Sequence, residues 1–172
     1  MIKIRKEENR DRKLVSLIYK AAFGQPTEAD LVEALHKSCP ERLALVAEEH
    51  GQVVGHILFT PATITSDDGK VITGMGLAPF AVTPDLQGQG IGSRLVKVGL
   101  AILKEQRCPF VIVLGHPFYY PRFDFVPAEQ HNIRCQWPEV PSEAFMILLM
   151  DQEAMQQVNG VARYRDEFNQ AV

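Results

Sequence analysis

The chain has 172 residues, with 18 Lys and Arg against 21 Asp and Glu and a formal net charge of -3. The length suits one domain with a packed core, and 46% apolar with 23% charged residues excludes wholesale disorder. The mild acidity argues against a dedicated nucleic-acid binder, yet leaves room for an anionic ligand at a locally positive site. Cys39, Cys108 and Cys135 are odd in number, far apart and form no CxxC, which fits free thiols in a reducing cytoplasm. The start, MIKIRKEENRDRK, lacks the apolar segment of a signal peptide, and no apolar run has the length of a membrane span.

In chain order, Ile2 and Ile4 alternate with Lys3 and Arg5 as a short strand. Leu14, Leu17, Ile18 and Ala21 recur at helical spacing over residues 9–23, and Gly24 and Pro26 close that helix. Thr27 is expected to cap a second helix that buries Leu31 and Leu35. A β-rich stretch follows: Leu43 to Glu48, a turn at His50-Gly51, Val53 to Thr65, a hairpin signal at Asp68-Gly69, and Val71 to Val82. Three strands joined by tight turns form an antiparallel meander. The period then changes, with Ile91, Leu95, Val98 and Ile102 forming one helical stripe. The apolar run Phe110 to Leu114 reads as a central strand, parallel to 71–82 across a right-handed crossover. Pro117 and Pro121 bracket a short turn or helix carrying Tyr119 and Tyr120; 126–143 is a proline-containing loop with strand fragments, and Phe145 to Met150 is another strand. Residues 151–172 form an amphipathic tail, helix or strand, on a core of 1–150. The sum is a single domain, 1–172, with a mixed α+β sheet and helices on its faces.

The chemistry concentrates in Val82-Thr83-Pro84-Asp85-Leu86-Gln87-Gly88-Gln89-Gly90-Ile91-Gly92-Ser93, which leaves a strand and opens the helix of clearest periodicity. Glycine at alternate positions lets the main chain turn tightly and approach a ligand without an intervening Cβ. The first amides of the following helix have no partner within it, and with the helix dipole they form an anion site suited to phosphate. A glycine turn that only caps the helix is the plain alternative. Nucleotide motifs do not fit. No Gly-Lys-Ser/Thr stands at a strand–helix turn, and GxGxxG fails at Ser93 in one register and at Leu95 in the other. The strand ending at Leu114 is followed by Gly115 and His116, not by the acid that holds a ribose.

Gln87-x-x-Gly90-x-Gly92 resembles the Q/R-x-x-G-x-G/A pyrophosphate loop of the GNAT superfamily of acyl-CoA-dependent N-acyltransferases. The preceding Val82-x-Pro84 and the long helix after the loop resemble that family too. Downstream, Tyr119-Tyr120-Pro121-Arg122-Phe123-Asp124-Phe125 is similar to its F-Y-x-x-x-G-F signature, with Asp124 where glycine is usual. A left-handed residue is expected there, and Asp tolerates that conformation better than most. The resemblance is strong from about 71 to 127 and general beyond 128.

The resemblance implies a mostly antiparallel mixed sheet with helices on both faces, splayed between its fourth and fifth strands. Acetyl-CoA is the implied co-substrate. Its pantetheine arm would pair with main-chain groups of Phe80, Ala81 and Val82, and its pyrophosphate would rest on amides of Gln87, Gly88, Gln89, Gly90, Ile91, Gly92 and Ser93. A neutral primary amine of a small molecule or peptide would attack the thioester directly in a ternary complex. A main-chain amide near Ala81–Val82 would stabilise the oxyanion, and Tyr120, protonated at neutral pH, would give the thiolate its proton.

The base is not evident. His116 is one candidate, Glu28 and Asp30 are weaker ones that also suit a helix N-terminus, and a water relay needs no side chain. His56 reads as a face or core residue. No HExxH occurs and the five histidines show no ligand spacing, so no metal is expected, and without GxSxG or CxxC neither a serine elbow nor a redox pair is indicated. A non-catalytic module that senses acyl-CoA is the alternative function. The expected partners are an amine and, through the tail, a second copy in a homodimer, with no nucleic acid and no membrane.

Overall fold

A computed structural model describes residues 1–171. The chain forms two compact units, each built from separated segments. One holds Met1–Phe59, Ala78–Ile102 and the described residues from Asp166; the other holds Thr60–Leu77 and Leu103–Arg165. The long strands β3 (Gln52–Thr65) and β4 (Val71–Val82) and the helix α3 (Ile91–Glu105) contribute to both.

In the first unit, β1 (Ile2–Lys6) pairs antiparallel with β2 (Leu43–Glu49), which pairs antiparallel with β3 in the register Leu43↔Phe59 and Leu45↔Ile57. A bulge interrupts the second ladder between Ala47 and Glu48. Neighbouring residues of β3 point to opposite sides. A Cβ on Gly55 would touch Leu95 of α3, whereas His56 is hydrogen-bonded to Tyr19 of α1 (Arg12–Phe23) at 2.8 Å. Helices therefore cover both faces of this part of the sheet, as expected. At Gly99 of α3 the missing side chain is replaced by the Phe59 ring, which a Cβ would meet at 2.4 Å.

Two local expectations are corrected. The buried face of α1 is Val15, Ile18 and Tyr19, while Leu14 and Leu17 are exposed. Both sets satisfy helical spacing, and packing over β3 selects the one that carries the Tyr19 hydroxyl. Thr27 does not cap α2 (Thr27–Ser38): it is the first helical residue, Pro26 holds the cap position, and Glu28 instead accepts from Gln25 Nε2 at 3.0 Å. The buried Leu31 and Leu35 agree with expectation, as does Gly24, which ends α1 in the left-handed conformation at φ 67°.

In the second unit, β4 runs parallel to β5 (Phe110–Leu114) through Met75↔Val111, Gly76↔Ile112 and Leu77↔Val113. That is the crossover anticipated from the apolar run, and Phe110 to Val113 are fully buried. The ladder ends at Leu77, five residues before β4 does. β5 pairs antiparallel with β8 (Phe145–Leu149), which also pairs with the two-residue β6 (Val126–Pro127). The tail resolves as a strand, β9 (Gly160–Arg163), parallel to β7 (Ile133–Cys135) and antiparallel to the end of β3. Just past β9, the buried Tyr164 hydroxyl donates towards Leu77 O at 3.2 Å and Ile112 O at 3.4 Å. Gly76 makes room for that ring, because a Cβ there would lie 2.5 Å from it. Among the described residues no helix is long and apolar enough to cross a membrane.

Candidate functional site: an amide loop and a buried tyrosine

The glycine loop belongs to the first unit. After β4 the chain makes a short 3-10 turn at Pro84–Leu86, in which Gln87 N–H donates to Pro84 O at 3.2 Å. Gly88 and Gly90 then take φ 76° and 83°, a conformation costly for any residue with a Cβ. No atom lies within 4 Å of where either Cβ would stand, and Gln87 to Gly90 are exposed. α3 starts immediately, and Arg94 N–H is bonded back to Gly90 O at 3.1 Å. Among the described residues no main-chain carbonyl accepts from the N–H groups of Gly88, Gln89, Gly90, Ile91 or Gly92. Five amides without a main-chain acceptor, on an open turn at the positive end of a 15-residue helix, have the chemistry to receive a multiply charged anion. Within the expected set Gln87 differs in that its own amide donates to Pro84 O.

The strand leading into this loop separates the expected main-chain contacts. Thr83 N–H donates to Val54 O at 2.8 Å and so faces β3, and Ala81 O lies 3.4 Å from the Cβ position of Gly55. Strand alternation turns Phe80 and Val82 to the opposite edge. The Gln87 side chain returns to Val82 O at 3.0 Å, which ties the loop to the strand and leaves the Val82 N–H on the outward edge. Gln87 therefore positions the turn through its side chain.

Tyr120 belongs to the second unit and opens a 3-10 turn, Tyr120–Phe123. The turn closes at Asp124 with φ 71°, the left-handed conformation expected at that position. The Tyr120 ring is buried, edge-on to Tyr119 at 5.1 Å and to Phe125 at 5.7 Å between centroids. Gly115 makes its berth, since a Cβ there would stand 2.5 Å from the ring. Burial, and then the neighbouring Tyr119, push the Tyr120 hydroxyl above its ordinary value, so it carries its proton throughout the neutral range. Among the described residues no protein group accepts a hydrogen bond from that hydroxyl, in contrast to buried Tyr164. Tyr119 is the packing residue: Arg122 stacks over its ring at 4.4 Å and donates from Nε to its carbonyl.

The candidate bases gain little. His116 is exposed, and its carbonyl accepts from Tyr119 N–H at 3.1 Å; Asp30 is exposed as well. The three cysteines are free, and burial raises the thiols of Cys108 and Cys135, which disfavours the thiolate form. Sequence spacing missed one cluster. Glu7, His36 and His56 converge in the first unit, with His36 Nε2 at 2.8 Å from Glu7 Oε2. Burial pushes the Glu7 carboxyl up, but the hydrogen bond with His36 and the close approach of His56 outweigh it and bring it down to about 2.

The chain belongs to the GNAT acetyltransferase family, whose acetyltransferase (GNAT) domain matches residues 3–128. It is 35% identical over 156 residues to the uncharacterized N-acetyltransferase YhbS of Escherichia coli K12, covering 90% of this chain and 91% of that protein. The crystal structure of the Escherichia coli protein in complex with CoA superposes with a TM-score of 0.89 at 33% identity, over 98% of this chain and 92% of that one. A GNAT family acetyltransferase from Brucella melitensis, solved in complex with acetyl-CoA, gives a TM-score of 0.79 at 32% identity over 98% of each chain.

Proposed function

We propose that the chain transfers an acetyl group from acetyl-CoA to a primary amine of a small molecule or peptide, by direct attack within a ternary complex. The observation that carries this is the run of uncommitted amides from Gly88 to Gly92 at the head of α3. An acidic protein needs such a device to hold a diphosphate, and relatives at about one-third identity carry CoA or acetyl-CoA. In this scheme the diphosphate rests on those amides and on the first turn that includes Ser93, and the pantetheine arm runs along the outward edge at Phe80 and Val82.

The amine lone pair attacks the thioester carbonyl carbon and a C–N bond forms. Negative charge moves to the carbonyl oxygen, where the Val82 N–H is the main-chain donor left on that edge. Collapse breaks the C–S bond, and the departing thiolate takes the Tyr120 proton. The attacking nitrogen loses its proton to water, consistent with the exposed position of His116 and the lack of a buried carboxylate or imidazole on β4. The three free thiols suit the reducing cytoplasm as its place of work.

The test is turnover of acetyl-CoA against a panel of primary amines, followed by release of free thiol, beside calorimetric titration with CoA. The scheme predicts CoA binding and amine-dependent thiol release. Tight CoA binding with no release for any amine would favour the sensing module, and a flat CoA titration would remove both.

A further inference from the structure

Three donor groups far apart in sequence meet beneath α1 and α2. Glu7 follows β1, His36 lies in the last turn of α2, and His56 sits on β3. Glu7 Oε2 is 2.8 Å from His36 Nε2 and 3.4 Å from His56 Nε2, with side chains 5%, 2% and 0% exposed. One donor atom from each residue fits within a mutual distance of 4.8 Å.

Hydrogen bonding does not account for this cluster. Two buried imidazoles beside one carboxylate would ordinarily place one N–H on each oxygen. Here both Nε2 atoms converge on Oε2, while Oε1 has no partner. The 3.4 Å contact from His56 is not a hydrogen bond, so its Nε2 is unpartnered as well. The outward nitrogens are backed differently. His56 Nδ1 meets the Tyr19 hydroxyl at 2.8 Å, whereas His36 Nδ1 is buried without a hydrogen-bond partner, 4.0 Å from the Glu33 carboxylate. His56, with Nε2 turned to the shared point and Nδ1 hydrogen-bonded from behind by the Tyr19 hydroxyl, is arranged as a metal-ligating histidine is.

We propose that Glu7, His36 and His56 bind one divalent transition-metal ion of the zinc type, through both Nε2 atoms and the Glu7 carboxylate. Tetrahedral bonds of about 2.0–2.1 Å place donor atoms about 3.4 Å apart. The Glu7–His56 separation already has that value, and the Glu7–His36 pair needs to open by roughly half an ångström. The orphaned Oε1 would then gain the ion as a longer, secondary contact of the same carboxylate. Two imidazoles in the donor set select a zinc-like ion over calcium or magnesium, which take oxygen. The ion would pin β1, α2 and β3 together and take no part in acyl transfer, so the site stands or falls independently of the proposed reaction.

The full-length protein, stripped with chelator and dialysed, is titrated with Co2+. The expected result is one tight equivalent with the strong visible absorption of tetrahedral cobalt, displaced by Zn2+, and a higher Tm with Zn2+ than with EDTA. His56→Gln should abolish the absorption, and exposed His50→Gln should leave it unchanged. Tyr19→Phe keeps the ring and removes the hydroxyl behind His56 Nδ1, so it should fold and bind Co2+ about tenfold more weakly. This variant decides the matter if His56→Gln does not fold. No tetrahedral cobalt signal in the parent, or a signal that neither Tyr19→Phe nor His56→Gln alters, overturns the proposal and leaves a carboxylate shared by two imidazoles.

Discussion

The loop at 87–93 and the segment at 115–125 use glycine and left-handed backbone for opposite ends. In the loop, Gly88 and Gly90 are left-handed and face open space. Their bareness serves nothing inside the protein, because no side chain fills the gap. In the second segment, Gly115 has a tyrosine ring where its Cβ would be, and the left-handed position is filled by Asp124. There the backbone seats one side chain and fixes its hydroxyl. One region leaves main-chain donors uncommitted, and the other commits its packing to a single hydroxyl; in the proposed reaction the first would receive the ligand and the second would give the proton. Substitutions should therefore act on binding in the first and on turnover in the second.

The largest expected effect is at the hydroxyl. Tyr120→Phe leaves the ring packing intact and should lower kcat about 100-fold, the scale of a lost general acid, with the Kd for CoA unchanged within about twofold. Equal losses in both constants would move Tyr120 to the binding side. Next comes a substitution belonging to neither region. Asp11 is 4% exposed at its side chain and takes hydrogen bonds from Arg5 at 2.7 and 2.9 Å. Asp11→Asn should cost about 2 kcal/mol at neutral pH, measured by urea denaturation, with kcat and Kd preserved in the folded fraction. The Arg5 hydrogen bonds hold this carboxyl below its ordinary range, against burial, which pushes the other way. A depressed native value means the contribution is complete above the ordinary aspartate value of about 3.9 and fades as pH falls through the native one. The gap between parent and variant should therefore close on acidification.

Smaller still is Gly90→Ala. The new methyl meets nothing, but φ 83° strains it, so stability should fall by about 1 kcal/mol and the Kd for CoA rise about tenfold, with kcat at saturation retained. A change in kcat alone would contradict the division drawn above. The mildest prediction concerns alkaline pH. Because the Tyr120 hydroxyl lies above its ordinary value, kcat should show no descending limb from its ionisation at or below about pH 10.

Some of this was legible in the chain and some was not. The amide loop and the left-handed turn at Asp124 were visible because short-range backbone demands leave short-range marks. The central strand was visible because Phe110 to Leu114 is apolar on both faces. Packing choices were not visible: Leu14 and Leu17 fit a helical stripe as well as Val15 and Ile18 do, and only the partner under α1 separates them. The role of Ala81 depends on which β4 residues face β3, a register that alternation alone leaves twofold. The tail forms β9 because it finds β7 and the end of β3, a pairing no local pattern announces. His36 and Glu7 stand 29 positions apart, so ligand spacing could not have joined them.

The central claim is that the amides from Gly88 to Gly92 receive a diphosphate. Backbone amide NMR of the labelled protein, titrated in parallel with CoA and with pantetheine, tests it directly. The account predicts that the Gly88, Gly90 and Gly92 proton resonances move strongly downfield with CoA and stay in place with pantetheine. Saturation by CoA that leaves those resonances where they were would contradict it.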